Sequence, residues 1–203
     1  MYMVLHNDLH QLICDCLDFI DVLHHKIISK RFKSIKIKDL YNIDLKYLRN
    51  LNDHILKQYI DVTELNASNN SKITTLNHMT KLRKLNITGD CGVGDQGILD
   101  LNLEELNAEN NPKITTLNHM TKLRKLDISG NCGVGDQGIS DLNLEELNAS
   151  NNSKITILNY MTKLRELNIS GNCGVGDQGI SDLKLEKVYA WNNPKITSKK
   201  LNK

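Results

Sequence analysis

The sequence predicts an α/β solenoid, a stack of short turns carrying a parallel β-sheet on its concave side, preceded by a small helical segment. Three observations predict it. The stretch LNAENNPKITTLNHMTKLRKLDISGNCGVGDQGISDLNLEE, Leu106 to Glu146, begins almost unchanged at Leu65 and again at Leu147, and a fourth copy opens at Val188. Self-similarity at one fixed period of this length marks a chain built from stacked units, each packing on its neighbours. Within each period the apolar residues fall into two short alternating runs, the spacing of strands with one buried face. Ahead of the copies, the apolar spacing changes to that of helices.

Each period holds two copies of L-x-x-L-x-L-x-x-N. The series runs Val62-Leu65-Ala67-Asn70, Leu82-Leu85-Ile87-Asp90, Leu103-Leu106-Ala108-Asn111 and Leu123-Leu126-Ile128-Asn131. It continues Leu144-Leu147-Ala149-Asn152, Leu164-Leu167-Ile169-Asn172 and Leu185-Val188-Ala190-Asn193. These resemble seven leucine-rich repeats, alternately 20 and 21 residues long, over residues 62–203. The resemblance implies a right-handed solenoid with one strand per repeat.

The net charge of +2 over 203 residues suggests neither a nucleic-acid nor a membrane-surface partner. No apolar run reaches membrane-spanning length. Asp8, Asp15 and Asp18 interrupt the N-terminal apolar pattern, which a secretory leader would not tolerate. A cytoplasmic protein is expected. Cys91, Cys132 and Cys173 recur in alternate repeats. Strands two repeats apart are separated by ~10 Å, too far for a disulfide or a shared metal. They are expected to be small buried residues closing a turn. Cys14 and Cys16 lack a second ligand pair, so no metal site is expected.

Residues 1–34 read as three short helices. After Asn7, a capping residue, Leu9, Leu12, Ile13, Cys16 and Leu17 form one helical stripe. Asp21 opens a second helix and Ser29 a third. Leu5, Asp8-Leu9, Leu12-Ile13, Leu17, Ile20-Asp21-Val22 and Ser29-Lys30-Arg31-Phe32 resemble an F-box, with His6 where that family has proline. Residues 35–61 read as a helical linker, with Leu48, Leu51, Ile55 and Tyr59 at helical spacing, covering the open end of the solenoid. The basic run Lys30, Arg31, Lys33, Lys36 and Lys38 reads as a solvated face.

The repeats are of two kinds. In the shorter, Ile73, Leu76, Met79 and Leu82 step inward every three residues along a turn-rich return. The longer carries a cysteine and Asp-x-Gly-Ile, as at Asp136 to Ile139. It resembles the cysteine-containing repeats of F-box/leucine-rich-repeat proteins, where the Asp opens a convex helix. The near-identical copies, rich in Asn, Ile and Lys, are similar in style to F-box and repeat proteins of large DNA viruses of amoebae. A viral origin would place the protein in host cytoplasm.

Gly92-Val93-Gly94-Asp95-Gln96-Gly97 fits G-x-G-x-x-G, but it recurs inside solenoid turns and lacks the long helix and later acid of a dinucleotide site. Its glycines are expected at positive φ where the chain leaves the strand. His78 and His119 become Tyr160 in the third copy, so a surface role is expected and no catalytic one. Asn66, Asn86, Asn148 and Asn168 fit N-x-[ST] but fall on expected strands. Asn70, Asn111, Asn131, Asn152, Asn172 and Asn193, with Asp90 as the exception, are expected to form a buried ladder satisfying backbone groups of adjoining turns.

The interaction surface is expected on the concave sheet. One row reads Glu64, Lys84, Glu105, Lys125, Glu146, Glu166, Lys187, in mutually compensating pairs. The central row is Asn66, Asn86, Asn107, Asp127, Asn148, Asn168, Tyr189, and the next is Ser68, Thr88, Glu109, Ser129, Ser150, Ser170, Trp191. Candidate partner-binding residues are Asn107, Glu109, Asp127, Asn148, Asn168, Tyr189 and Trp191. The last two either anchor a partner or cap the solenoid.

The family resemblance implies a non-catalytic, cofactor-free substrate receptor of a ubiquitin ligase, expected to be a monomer. The Skp adaptor and its cullin would be engaged through Leu5, Leu9, Leu12, Ile13, Leu17, Val22 and Phe32, and an unidentified target protein through the repeats. The alternative is a stand-alone binding scaffold without a ubiquitin role.

Overall fold

The computed structural model describes residues 38–41 and 49–197. The expected F-box-like segment, residues 1–34, lies outside the described residues, as do Leu48, Cys14 and Cys16. Eight strands form one parallel sheet in chain order: β1 (Asp39–Leu40), β2 (Glu64–Asn66), β3 (Lys84–Asn86), β4 (Glu105–Asn107), β5 (Lys125–Asp127), β6 (Glu146–Asn148), β7 (Glu166–Asn168) and β8 (Lys187–Tyr189). β2 to β8 are the seven repeats. Their central residues stay in one register, Leu65, Leu85, Leu106, Leu126, Leu147, Leu167 and Val188 lying side by side. Because side chains alternate along a strand, that register sends one apolar row inward and two polar rows outward.

β1 departs from the expectation of a helical segment over 35–61. Asp39 and Leu40 pair with Glu64 and Leu65 and begin the sheet one strand before the first repeat. Leu40 is buried like the repeat leucines. Among the described residues of this segment, the α-helix spans only Asp53–Leu56, with the Asn52 Oδ1 accepting the Ile55 N–H at 3.0 Å. Leu51, Leu56 and Tyr59 pack into the end of the core.

The returns between strands are turns and single 3-10 turns. Ile73, Leu76, Met79 and Leu82 are all buried, and so are their copies. Asp-x-Gly-Ile forms a 3-10 turn in each longer repeat, at Asp95–Gly97, Asp136–Ile139 and Asp177–Ile180, where a convex helix was expected. Each Asp then holds the following repeat. Asp136 accepts the Thr156 N–H at 2.8 Å and its hydroxyl at 2.5 Å, and Asp53, Asp95 and Asp177 do the same for Thr74, Thr115 and Thr197. Cys91, Cys132 and Cys173 are free, buried thiols whose pKa burial pushes up.

Three expectations need correction. The asparagine ladder occupies alternate repeats only. Asn70, Asn111, Asn152 and Asn193 are buried, whereas Asp90, Asn131 and Asn172 are exposed. The Asn111 Nδ2 donates to the Ile87 and Val93 carbonyls at 2.9 and 3.1 Å, while its Oδ1 accepts the Lys113 N–H at 3.0 Å. In the longer repeats the adjacent cysteine takes the interior place. The glycines of G-x-G-x-x-G are not at positive φ. That conformation belongs to Gly89, Gly130 and Gly171 and to Asn69, Asn110, Asn151 and Asn192. Gly92 and Gly97 are glycines because a Cβ would sit 2.4 Å from the Ile73 carbonyl oxygen and 2.3 Å from that of Thr74, so neighbouring turns could not close. His119 and Tyr160 are half-buried ties, the His119 Nε2 lying 3.2 Å from the Ile98 carbonyl and the Tyr160 hydroxyl donating to that of Ile139 at 3.3 Å.

Asn111→Ala strands two buried carbonyls and one N–H, and is expected to cost roughly 3 kcal/mol or more. Asn131→Ala, on the exposed position of the same motif, should cost no more than about 0.5 kcal/mol. Urea unfolding midpoints measure both. Equal losses at the two sites would contradict the alternate-repeat ladder.

Candidate binding face

The concave sheet face carries a shallow groove of about 330 Å³ running across the strands. Tyr41 stands at its β1 end and Tyr189 at its β8 end, with Glu105, Asn107, Lys125, Asp127, Glu146, Asn148, Glu166 and Asn168 between them. The register that aligns the core leucines aligns these rows, so the face follows from the packing beneath it.

The charged row compensates itself as its spacing predicts. Lys84 meets Glu105 at 3.3 Å, Lys125 meets Glu146 at 2.7 Å and Lys187 meets Glu166 at 2.5 Å. The hydrogen bond to Glu146 raises the pKa of Lys125, and that to Glu166 raises the pKa of Lys187. Partial burial pulls Lys84 the other way, but its bond to Glu105 together with the charges of Glu105, Tyr41 and Glu64 outweighs that, and the net shift is upward. The Lys84 ammonium also lies 4.5 Å from the centre of the Tyr41 ring. A second ladder runs alongside, with Arg124–Glu104 at 3.3 Å and Arg165–Glu186 at 2.6 Å. That ladder follows from the same period, the partners lying 20 and 21 residues apart in sequence.

The central row is fixed by short local bonds. Each Asn Oδ1 accepts the backbone N–H two residues on, as Asn107 does from Glu109 at 3.0 Å and Asn168 from Ser170 at 3.1 Å. These turns end every strand and lock the amides in one orientation. The Asn107 and Asn168 Nδ2 groups have no partner among the described residues. Asp127 replaces asparagine on β5. Its Oδ1 accepts both the N–H and the hydroxyl of Ser129, at 2.9 and 2.6 Å, and its Oδ2 accepts the Asn148 Nδ2 at 2.8 Å. Glu109 lies on the adjacent repeat, holding the Asn110 amide at 3.2 Å.

Five of the seven candidate partner-binding residues, Asn107, Asp127, Asn148, Asn168 and Tyr189, line the groove, whereas Glu109 and Trp191 stand in the turns that follow β4 and β8. Tyr189 is 47% exposed and Trp191 75% exposed. Trp191 covers little of the core end, where Leu183, Leu185, Val188 and Ile196 stay partly exposed. The candidate adaptor-binding residues Leu5, Leu9, Leu12, Ile13, Leu17, Val22 and Phe32 lie outside the described residues. Among the described residues no cluster of His, Cys, Asp or Glu could hold a metal ion, and no helix is long and apolar enough to cross a membrane.

Trp191 is the only tryptophan. Its emission should be that of a solvated indole and should be quenched by iodide as fully in the native protein as in urea. Native-state protection from iodide would mean that the ring is covered.

A family model described as Leucine Rich repeat matches residues 119–142 and 160–184, which span β5 and β7 with the 3-10 turns that follow them. No curated protein matches the chain. The described part of this protein is thus a parallel-sheet solenoid containing leucine-rich repeats.

Proposed function

We propose that the protein is a non-catalytic binding scaffold whose concave sheet holds another protein. The observation that carries this is the face itself. A rigid register presents ordered amides, a fixed carboxylate and two exposed aromatic side chains on one curved surface. Tyr and Trp are enriched among residues that dominate protein interfaces. The row of compensated ion pairs beside them favours a partner of matching polarity over a purely apolar one.

The finer reading rests on the N-terminal resemblance. Residues 1–34 would act as an F-box, with Leu5, Leu9, Leu12, Ile13, Leu17, Val22 and Phe32 docking on the Skp adaptor of a cullin-based ubiquitin ligase. The protein would work in the cytoplasm, the solenoid would select the target, and other subunits would supply the catalysis.

The test is a pull-down from eukaryotic lysate with the whole chain, blotted for the Skp adaptor and cullin. The same chain carrying Leu12→Asp and Leu17→Asp serves as comparison. Adaptor and cullin are expected with the parent chain, and less than about a tenth of that signal with the variant, since a charge buried in an interface core costs several kcal/mol. Absence of both from the parent pull-down, with the chain folded, would remove the ligase reading and leave the scaffold.

A further inference from the structure

We propose that the concave groove takes an extended basic peptide, with a lysine or arginine of the peptide on Asp127 and a neighbouring residue against Tyr189 and Trp191. The proposal rests on the scaffold reading and names the chemistry of its partner.

The near-identical copies separate what the fold needs from what it does not. Asp127 corresponds to Asn86 in the preceding copy and Asn168 in the following one. Both asparagines make the same bond, Oδ1 accepting the N–H two residues on, at 3.0 and 3.1 Å. The turn is therefore served without a charge, and the carboxylate of Asp127 is surplus to it. Glu109 corresponds in the same way to Ser68 and Ser150. These two acids depart from the copies on adjacent repeats, Asp127 in the groove and Glu109 in the turn that follows β4.

Charge complementarity then decides the partner. Lys84, Lys125 and Lys187 are each taken by a glutamate of their own row. Asp127 and Glu109 have no cation within ion-pair distance among the described residues. The Asp127 Oδ1 already accepts two hydrogen bonds and its Oδ2 one, so one acceptor position on Oδ2 remains. Ser129 beneath it is buried, so the carboxylate is held in place before any ligand arrives. A fixed anion with one open acceptor site on a solvated face suits a single cationic donor. It would repel an acidic peptide or a nucleic-acid phosphate.

The neighbours fit an extended chain. Asn107 and Asn168, on β4 and β7, flank Asp127 and keep Nδ2 donors available for peptide carbonyls. β8 is three strands from β5, about 14 Å away at ~4.8 Å per strand, or about four residues of extended peptide. A peptide lying across the strands with its cation on Asp127 therefore reaches Tyr189 and Trp191 about four residues later.

The test uses the full chain and fluorescein-labelled ten-residue peptides of Gly, Ser and Tyr carrying two Arg, two Gln or two Glu, read by fluorescence anisotropy. The Arg peptide is expected to bind roughly tenfold tighter than the Gln peptide, consistent with one charge-assisted hydrogen bond, and the Glu peptide more weakly still. Added salt should narrow the gap. Asp127→Asn should abolish the preference while leaving the fold intact: asparagine already serves that turn in the other copies, and the thermal midpoint should fall by no more than the loss of the one bond to Asn148 allows. Equal binding of the three peptides, no binding of the Arg peptide, or an unchanged preference in Asp127→Asn would each overturn the proposal. A protein captured from lysate that is lost with Trp191→Ala but kept with Asp127→Asn and Glu109→Ser would also overturn it, while leaving the scaffold reading intact.

Discussion

The buried side-chain amide in alternate repeats is the bond on which the stack depends. A solenoid of three-residue strands joined by turns cannot satisfy its own interior carbonyls through the ladder alone, and a buried carbonyl without a partner is costly. Asn152 shows the solution. Its Nδ2 bridges the Ile128 and Val134 carbonyls of the preceding repeat, and its Oδ1 receives the Lys154 N–H. Asn111 and Asn193 repeat the arrangement, so the same three-way tie locks successive periods at one spacing. With that spacing fixed, the leucines must meet leucines, and the parallel register follows.

Outer ties reinforce the inner one at the same step. The Lys113 Nζ donates to the Cys91 carbonyl at 2.8 Å and the Lys154 Nζ to that of Cys132 at 2.9 Å. The Asp–Thr pairs close the convex side. None of these crosses more than neighbouring turns, so stability is shared along the stack as a sum of interface contributions. Such a stack folds from local contacts and accepts change in one repeat without rebuilding the rest.

How much of this was legible follows from the period. A fixed step with leucine at fixed offsets determines which residues are neighbours on adjacent strands, so the pairs Lys125–Glu146 and Lys187–Glu166 could be read from letters alone. The period fails where copies differ in kind or where it stops. Leu40 has no repeat motif around it, so only its pairing with β2 reveals β1. Asn131 and Asn111 share a motif position, but the cysteine after Asn131 is smaller and apolar and takes the interior place, turning the asparagine out. The glycines of G-x-G-x-x-G stand in turns, but close approach and not positive φ requires them. Gly97 is held to hydrogen by the Thr74 carbonyl beside it, a tertiary contact that no local pattern encodes.

Repetition also sharpens the meaning of each departure from it. Interior positions are under the same packing constraint in every copy and hardly vary. Exposed positions are free, so a change there is either neutral or answers to something outside the chain. Ile157, exposed on the convex return where the other copies carry Thr75 and Thr116, is a lone change with no neighbouring one and fits drift. Glu109 and Asp127 change together, on adjacent repeats, toward the same sign, in the face that also gains Tyr189 and Trp191. Drift has no reason to place a carboxylate without a cation in a row that otherwise carries neutral side chains, nor to hold it with three donors. A partner that brings its own cation supplies that reason.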